Sequence, residues 1–122
     1  MHPDEQFAVA RVGLDAAVVA ARGELDLASA PRFESALETA SEIGVGRVIV
    51  DLASVTFLDS AGLGILLTCA QKLRMNGGEL IVVTDDPRIV GVLERTRLDI
   101  VVRHERSLSG AVSEFVPRRA AV

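Results

Sequence analysis

The chain has 122 residues, 49% of them hydrophobic but only 3% aromatic, with no Trp or Tyr, so it suits one domain with a core of Val, Leu, Ile and Ala. A formal charge of −4 argues against any large nucleic-acid or anionic-membrane footprint. The single cysteine, Cys69, excludes an internal disulfide and a cysteine-based zinc site. Met1-His-Pro-Asp-Glu-Gln has no basic segment followed by an apolar one, so no signal peptide is read there. The longest uncharged run, Ser60 to Gln71, falls short of the ~20 residues that span a bilayer. The expectation is a cytoplasmic protein without membrane or nucleic-acid partners, monomeric or weakly dimeric.

In chain order, Phe7–Val12 and Ala16–Arg22 flank Gly13-Leu-Asp15 and predict a β-hairpin, with Gly23–Ser29 following as a loop. Pro31 stands near the start of a first helix whose apolar stripe is Phe33, Leu37 and Ala40. Val48, Ile49 and Val50 are β-branched without polar alternation, which predicts a strand over Arg47–Leu52 covered on both faces. A second helix runs from about Ser60 to Met75 with Leu63, Leu66, Leu67, Ala70 and Leu73 inward, and Asn76-Gly77-Gly78 ends it. Leu80–Thr84 reads as another buried strand. Asp86 caps a third helix from Pro87 to about Thr96, with Ile89, Val90 and Leu93 toward the core. Ile100–Val102 reads as a short strand, and Ser107 as the cap of a last helix ending near Phe115. The fold class is therefore α/β: a small mixed, mostly parallel sheet opened by an antiparallel hairpin, with about four helices packed on it. The domain spans 7–115 between a flexible N-terminus (1–6) and a flexible tail (116–122), where Arg118-Arg119 is a solvated basic pair.

The segment with the most chemistry is Phe57-Leu58-Asp59-Ser60-Ala61-Gly62-Leu63-Gly64. Asp59 in the N-cap position puts Ser60 in the first helical turn, where backbone N–H groups lack intrahelical partners. A phosphate carried by Ser60 would meet those donors and the positive end of the helix dipole, which is the geometry of a regulatory phosphorylation site. Two glycines in the first turns cost about 1 kcal/mol each relative to alanine, so something must approach Gly62 and Gly64 closely, either the neighbouring strand or a partner. Ile65, Thr68 and Lys72 share a flank of the helix away from its leucines. Cys69 reads as a small core hydrophobe.

These eight residues resemble the phosphorylation motif of bacterial anti-sigma-factor antagonists of the STAS family. Gly23-Glu24-Leu25-Asp26, followed by Ala30-Pro31, is similar to the family's other signature, so the resemblance extends from about Phe7 to Phe115. The resemblance implies a STAS-like topology and a non-enzymatic role in partner switching. Unphosphorylated, such a protein binds an anti-sigma factor that is itself a serine kinase, and this frees a sigma factor. Phosphorylation at Ser60 ends the complex, and a serine phosphatase restores it. ATP and Mg²⁺ would sit on the kinase, and no cofactor is expected here. The contact residues implied are Asp26, Asp59, Ser60, Ala61, Gly62, Gly64, Ile65 and Thr68. Ala61 departs from the family pattern, which often has a second hydroxyl there, and Arg97 stands where relatives often have a helix-ending glycine.

Other readings fit less well. A STAS-type scaffold for a transporter or stress-sensing complex is the alternative. The hydrolase G-x-S-x-G elbow lacks its first glycine, and no phosphate-binding P-loop occurs. A receiver-like phospho-aspartate domain would use Asp51 with Asp85-Asp86, yet the one lysine, Lys72, lies mid-helix rather than after a late strand.

Overall fold

Alternating strand and helix signals close into one sheet in the computed structural model, which describes residues 6–116. The elements are β1 (Phe7–Val12), β2 (Ala16–Leu25), α1 (Ala30–Ile43), β3 (Arg47–Leu58), α2 (Ser60–Met75), β4 (Glu79–Val83), α3 (Pro87–Arg95), β5 (Arg103–Glu105) and α4 (Leu108–Val112). Apart from Gln6 and Val116, the expected flexible ends lie outside the described residues. The five strands follow chain order across the sheet. β1 and β2 are antiparallel, while β2–β3, β3–β4 and β4–β5 are parallel.

Strand periodicity divides the core between the two sheet faces. Ala17, Val19, Val48, Val50, Leu80 and Val82 pack under α1, α2 and α3. Ala16, Val18, Ile49, Ile81 and Val83 face the other way, toward Ala111 and Phe115. The β-branched run Val48–Val50 is therefore buried on both sides, as its pattern requires. Phe33 on α1 stacks on Phe7 of β1, ring centroids 5.4 Å apart, which adds about 0.5–1.5 kcal/mol beyond area burial and pins the helix to the hairpin. Gly13 in the hairpin turn has φ +58, and a Cβ there would overlap the Phe115 carbonyl.

Five details depart from the sequence reading. β3 runs to Leu58 rather than Leu52, and β2 continues through Gly23–Leu25 where a loop was expected. Each supplies the other's hydrogen-bond partner, with register shifts after Ala20 and Gly23. On α2, Leu67 is 39% exposed rather than inward, and Gly62 takes the buried position instead. Ile100–Val102 is not a strand. Arg97 adopts a left-handed conformation with φ +60, Leu98–Ile100 form a 3₁₀ turn, and only Arg103–Glu105 reach β4. The last helix stops at Val112, although Ser107 caps it through Gly110 N–H at 3.1 Å.

Candidate functional site

β2 and β3 run side by side to their carboxyl ends, with Leu25 opposite Leu58. The Asp59 N–H donates to the Leu25 carbonyl at 3.1 Å and ties the two ends together. Asp26 and Asp59 thus open neighbouring turns at the carboxyl edge of the sheet, the edge at which open α/β folds carry their sites.

At the second turn, Asp59 is extended (φ −103, ψ −173), and its Oδ1 accepts from Ala61 N–H at 2.9 Å and Gly62 N–H at 3.2 Å. Its carbonyl takes the Leu63 N–H. This capping corrects one expectation: a phosphate on Ser60 would find those helix-terminal donors already engaged by a carboxylate. Ser60 itself is exposed, and its hydroxyl makes no hydrogen bond among the described residues. The half-buried Ala61 methyl follows it.

The two glycines separate. Gly62 is buried, and a Cβ there would come within 2.7 Å of Leu58 Cδ1 and 2.9 Å of the Leu25 carbonyl oxygen. What Gly62 accommodates is therefore the neighbouring strand end rather than a partner. Gly64 is exposed, with nothing within 4 Å of a Cβ.

The first turn uses the same residue types differently. Asp26 Oδ1 accepts from Ser29 N–H at 3.0 Å, and Ser29 Oγ accepts from Asp26 N–H at 3.0 Å, a reciprocal arrangement of the capping-box kind. Ser29 Oγ also donates to the Glu24 carbonyl at 2.9 Å, and the side chain is buried. This serine was not singled out from the sequence; its three-residue spacing from Asp26 was the available signal.

Down α2, Ser60, Gly64, Leu67 and Thr68 form the exposed ridge. Half-buried Ile65 lies beside it, and together with Thr68, Cys69 and Lys72 faces α1. The structure thus joins Asp26, Asp59, Ser60 and Ala61 at the sheet edge, with Gly64 one turn below and Ile65 and Thr68 on the flank toward α1. It also adds two large exposed apolar side chains that the motif reading gave no contact role, Phe57 (51% exposed) and Leu27 (78%). The signal for Phe57 was an aromatic two residues before the capping aspartate, in a chain with four aromatics.

Two of the receiver-like carboxylates, Asp51 and Asp86, are occupied otherwise. Asp51 Oδ1 accepts from the Ala53 N–H at 3.0 Å, just where β3 leaves β4. Asp86 caps α3, and the Arg88 side chain and backbone N–H bonded to it hold its carboxyl below the usual range. Burial pushes the Cys69 thiol up to about 11, so it is protonated at neutral pH, as its core-like reading implies.

The chain has counterparts among known proteins. The "Anti-sigma-B factor antagonist" of Staphylococcus aureus is 33% identical over 76 residues, covering 62% of this chain and 70% of that protein. An anti-sigma factor antagonist from Mycobacterium paratuberculosis superposes with TM-score 0.78 at 28% identity, covering 89% of this chain and 92% of that one. The Bacillus cell fate determinant SpoIIAA in its phosphorylated form superposes with TM-score 0.70 at 22% identity, over 88% of this chain and 97% of that one. The STAS domain model matches residues 8–111, so the chain belongs to the STAS domain family, in its anti-sigma-factor-antagonist branch.

Proposed function

We propose that this protein binds an anti-sigma factor with serine kinase activity through the sheet edge around Ser60, and that phosphorylation of Ser60 ends the complex. The reading rests on one observation above the rest: among the described residues the Ser60 hydroxyl stands exposed and unbonded at the head of α2, while the adjacent Asp59 is held in place by the Ala61 and Gly62 N–H groups. An anti-sigma factor held in this way releases its sigma factor, and a serine phosphatase returns the protein to its binding form.

Magnitudes support a switch that acts at the surface. The helix dipole offers a phosphate about 0.3–1 kcal/mol, and the Asp59 carboxylate already sits on the nearest amide donors. A hundredfold loss of affinity needs about 2.7 kcal/mol. Roughly −1.5 to −2 of added charge beside Asp59, inside an interface, supplies that through repulsion and desolvation without unfolding the helix.

Affinity capture from the native cell with wild type, Ser60→Ala and Ser60→Asp, read by mass spectrometry, tests this. An ATPase-fold serine kinase should come down with wild type and Ser60→Ala and be depleted with Ser60→Asp. Transporter or stress-complex subunits recovered equally by all three would replace the antagonist reading with a scaffold role. With the captured kinase and ATP, one phosphate should appear on Ser60, since Ala61 offers no second hydroxyl. Phosphate on the exposed Thr56 or Thr68 instead would overturn the assignment. The phosphorylated protein should keep its far-UV circular dichroism and melt within a few degrees of the unmodified form, since about 1 kcal/mol moves a domain of this size by roughly 4 °C.

A further inference from the structure

Between α1 and α2 runs a groove of about 220 Å³ whose floor is apolar, formed by Leu37, Ile65, Cys69 and Leu73. One wall is acidic: Glu34, Glu38 and Glu42 project from α1 at intervals of one helical turn. All three are exposed, and none forms an ion pair among the described residues. Lys72 on the α2 wall is the single cation lining the groove.

This row works against the helix that carries it. Glu34–Glu38 and Glu38–Glu42 are like-charge pairs four residues apart, each destabilising an isolated helix. Glu42 stands in the last turn, at the negative end of the dipole, and no basic residue is there to offset it. A row of three carboxylates that opposes its own element, faced by one lysine and held in no ion pair among the described residues, points to an external partner for the remaining charge.

We propose that the α1–α2 groove is a docking site for a positively charged amphipathic helix of a partner protein. The charge of the wall fixes the sign of the partner. The apolar floor requires an apolar stripe beside the cations. Two helices packed on one sheet face leave a channel suited to a third, and turn-spaced carboxylates match cations one helical turn apart. The groove lies on the flank of α2 below Ser60, and its assignment stands whether or not Ser60 is phosphorylated.

Cys69 in the floor is the chain's one cysteine and serves as a built-in reporter. The test uses the full chain and two capped helical peptides, one of Leu and Lys and one of Leu and Glu. At mildly alkaline pH the Leu/Lys peptide should slow alkylation of Cys69 several-fold and shift amide resonances at Ile65, Thr68 and Glu38, and the Leu/Glu peptide should do neither. The effect should fade as salt approaches 1 M, where the Debye length is about 3 Å. Glu38→Gln should weaken the peptide roughly two- to fivefold, the worth of one exposed ion pair, while the variant melts at the same temperature or higher. Equal protection by both peptides, no protection, or shifts confined to other surfaces would overturn the proposal. So would a fall in melting temperature with Glu38→Gln, which would give that carboxylate an internal role. Protection of Cys69 that rises with protein concentration alone would assign the groove to a second copy of the chain instead.

Discussion

The turns after β2 and β3 both join an aspartate to a serine at the same edge of the sheet, and they put the serine to opposite uses. After β2, Asp26 and Ser29 stand three residues apart, so each side chain reaches the other's backbone N–H and Ser29 is buried with its hydroxyl satisfied. After β3, Asp59 and Ser60 are adjacent. The aspartate reaches forward to Ala61 and Gly62, and the serine, too close to be reached, is left pointing to solvent. Spacing alone thus separates a buried, bonded serine from an exposed one whose hydroxyl the cap leaves unused.

The largest effects should come from filling the space that lets the second turn close on the strand. Gly62→Val forces atoms into Leu58 and the Leu25 carbonyl and should cost about 3 kcal/mol, the upper part of the range for overpacking. Gly64→Ala, one half-turn on, meets nothing and should stabilise by about 0.5–1 kcal/mol. Urea denaturation of the two variants gives opposite signs if the placement is right, and a shared sign would mean that the glycines are not distinguished as described.

A smaller difference tests the serines directly. Ser29→Ala leaves the Asp26 N–H without its partner and removes one of the two donors to the Glu24 carbonyl, which keeps Gln6 Nε2, and should cost about 1–3 kcal/mol. Ser60→Ala should stay within about 0.5 kcal/mol, as for an ordinary surface change. Equal losses in a chemical melt would erase the contrast between the turns.

Much of this edge is legible in the sequence because its causes are local. The Asp59 cap, the start of α2 at Ser60 and its end at Met75 follow from residues next to one another. The tail of β2 was not legible, because Gly23-Glu24 has weak strand preference and becomes strand only when β3 is laid alongside it. For the same reason the extra length of β3 could not be read from its own residues. Leu67 misled because a leucine at helical spacing signals a core face, while its outward turn depends on how α2 lies on β3 and β4 beside α1. Arg97 is a different case. The absence of glycine was visible, but the helix still ends in a left-handed residue, with the arginine adopting φ +60. Of the candidate site, Asp59 and Ser60 were placed by local rules. The division of Gly62 from Gly64 and the exposure of Phe57 and Leu27 needed the packed structure.

The smallest effect separates the two roles that Asp59 could hold. As a cap it needs an oxygen that accepts from Ala61 and Gly62, and an asparagine keeps such an oxygen at Oδ1. As a mark for a kinase it needs negative charge, which asparagine lacks. Asp59→Asn should therefore lose only the charge–dipole contribution, about 0.3–1 kcal/mol, whereas Asp59→Ala also loses the cap, for a total loss of about 1–2 kcal/mol. Thermal melts of the pair fix the structural part. The rate at which the captured kinase then modifies Ser60 in Asp59→Asn reads the other part, because the fold and the serine's position are retained. A rate several-fold below wild type assigns recognition to the charge. An unchanged rate leaves Asp59 as a cap alone and transfers recognition to the residues around it, with Phe57 and Leu27 the first to replace by serine.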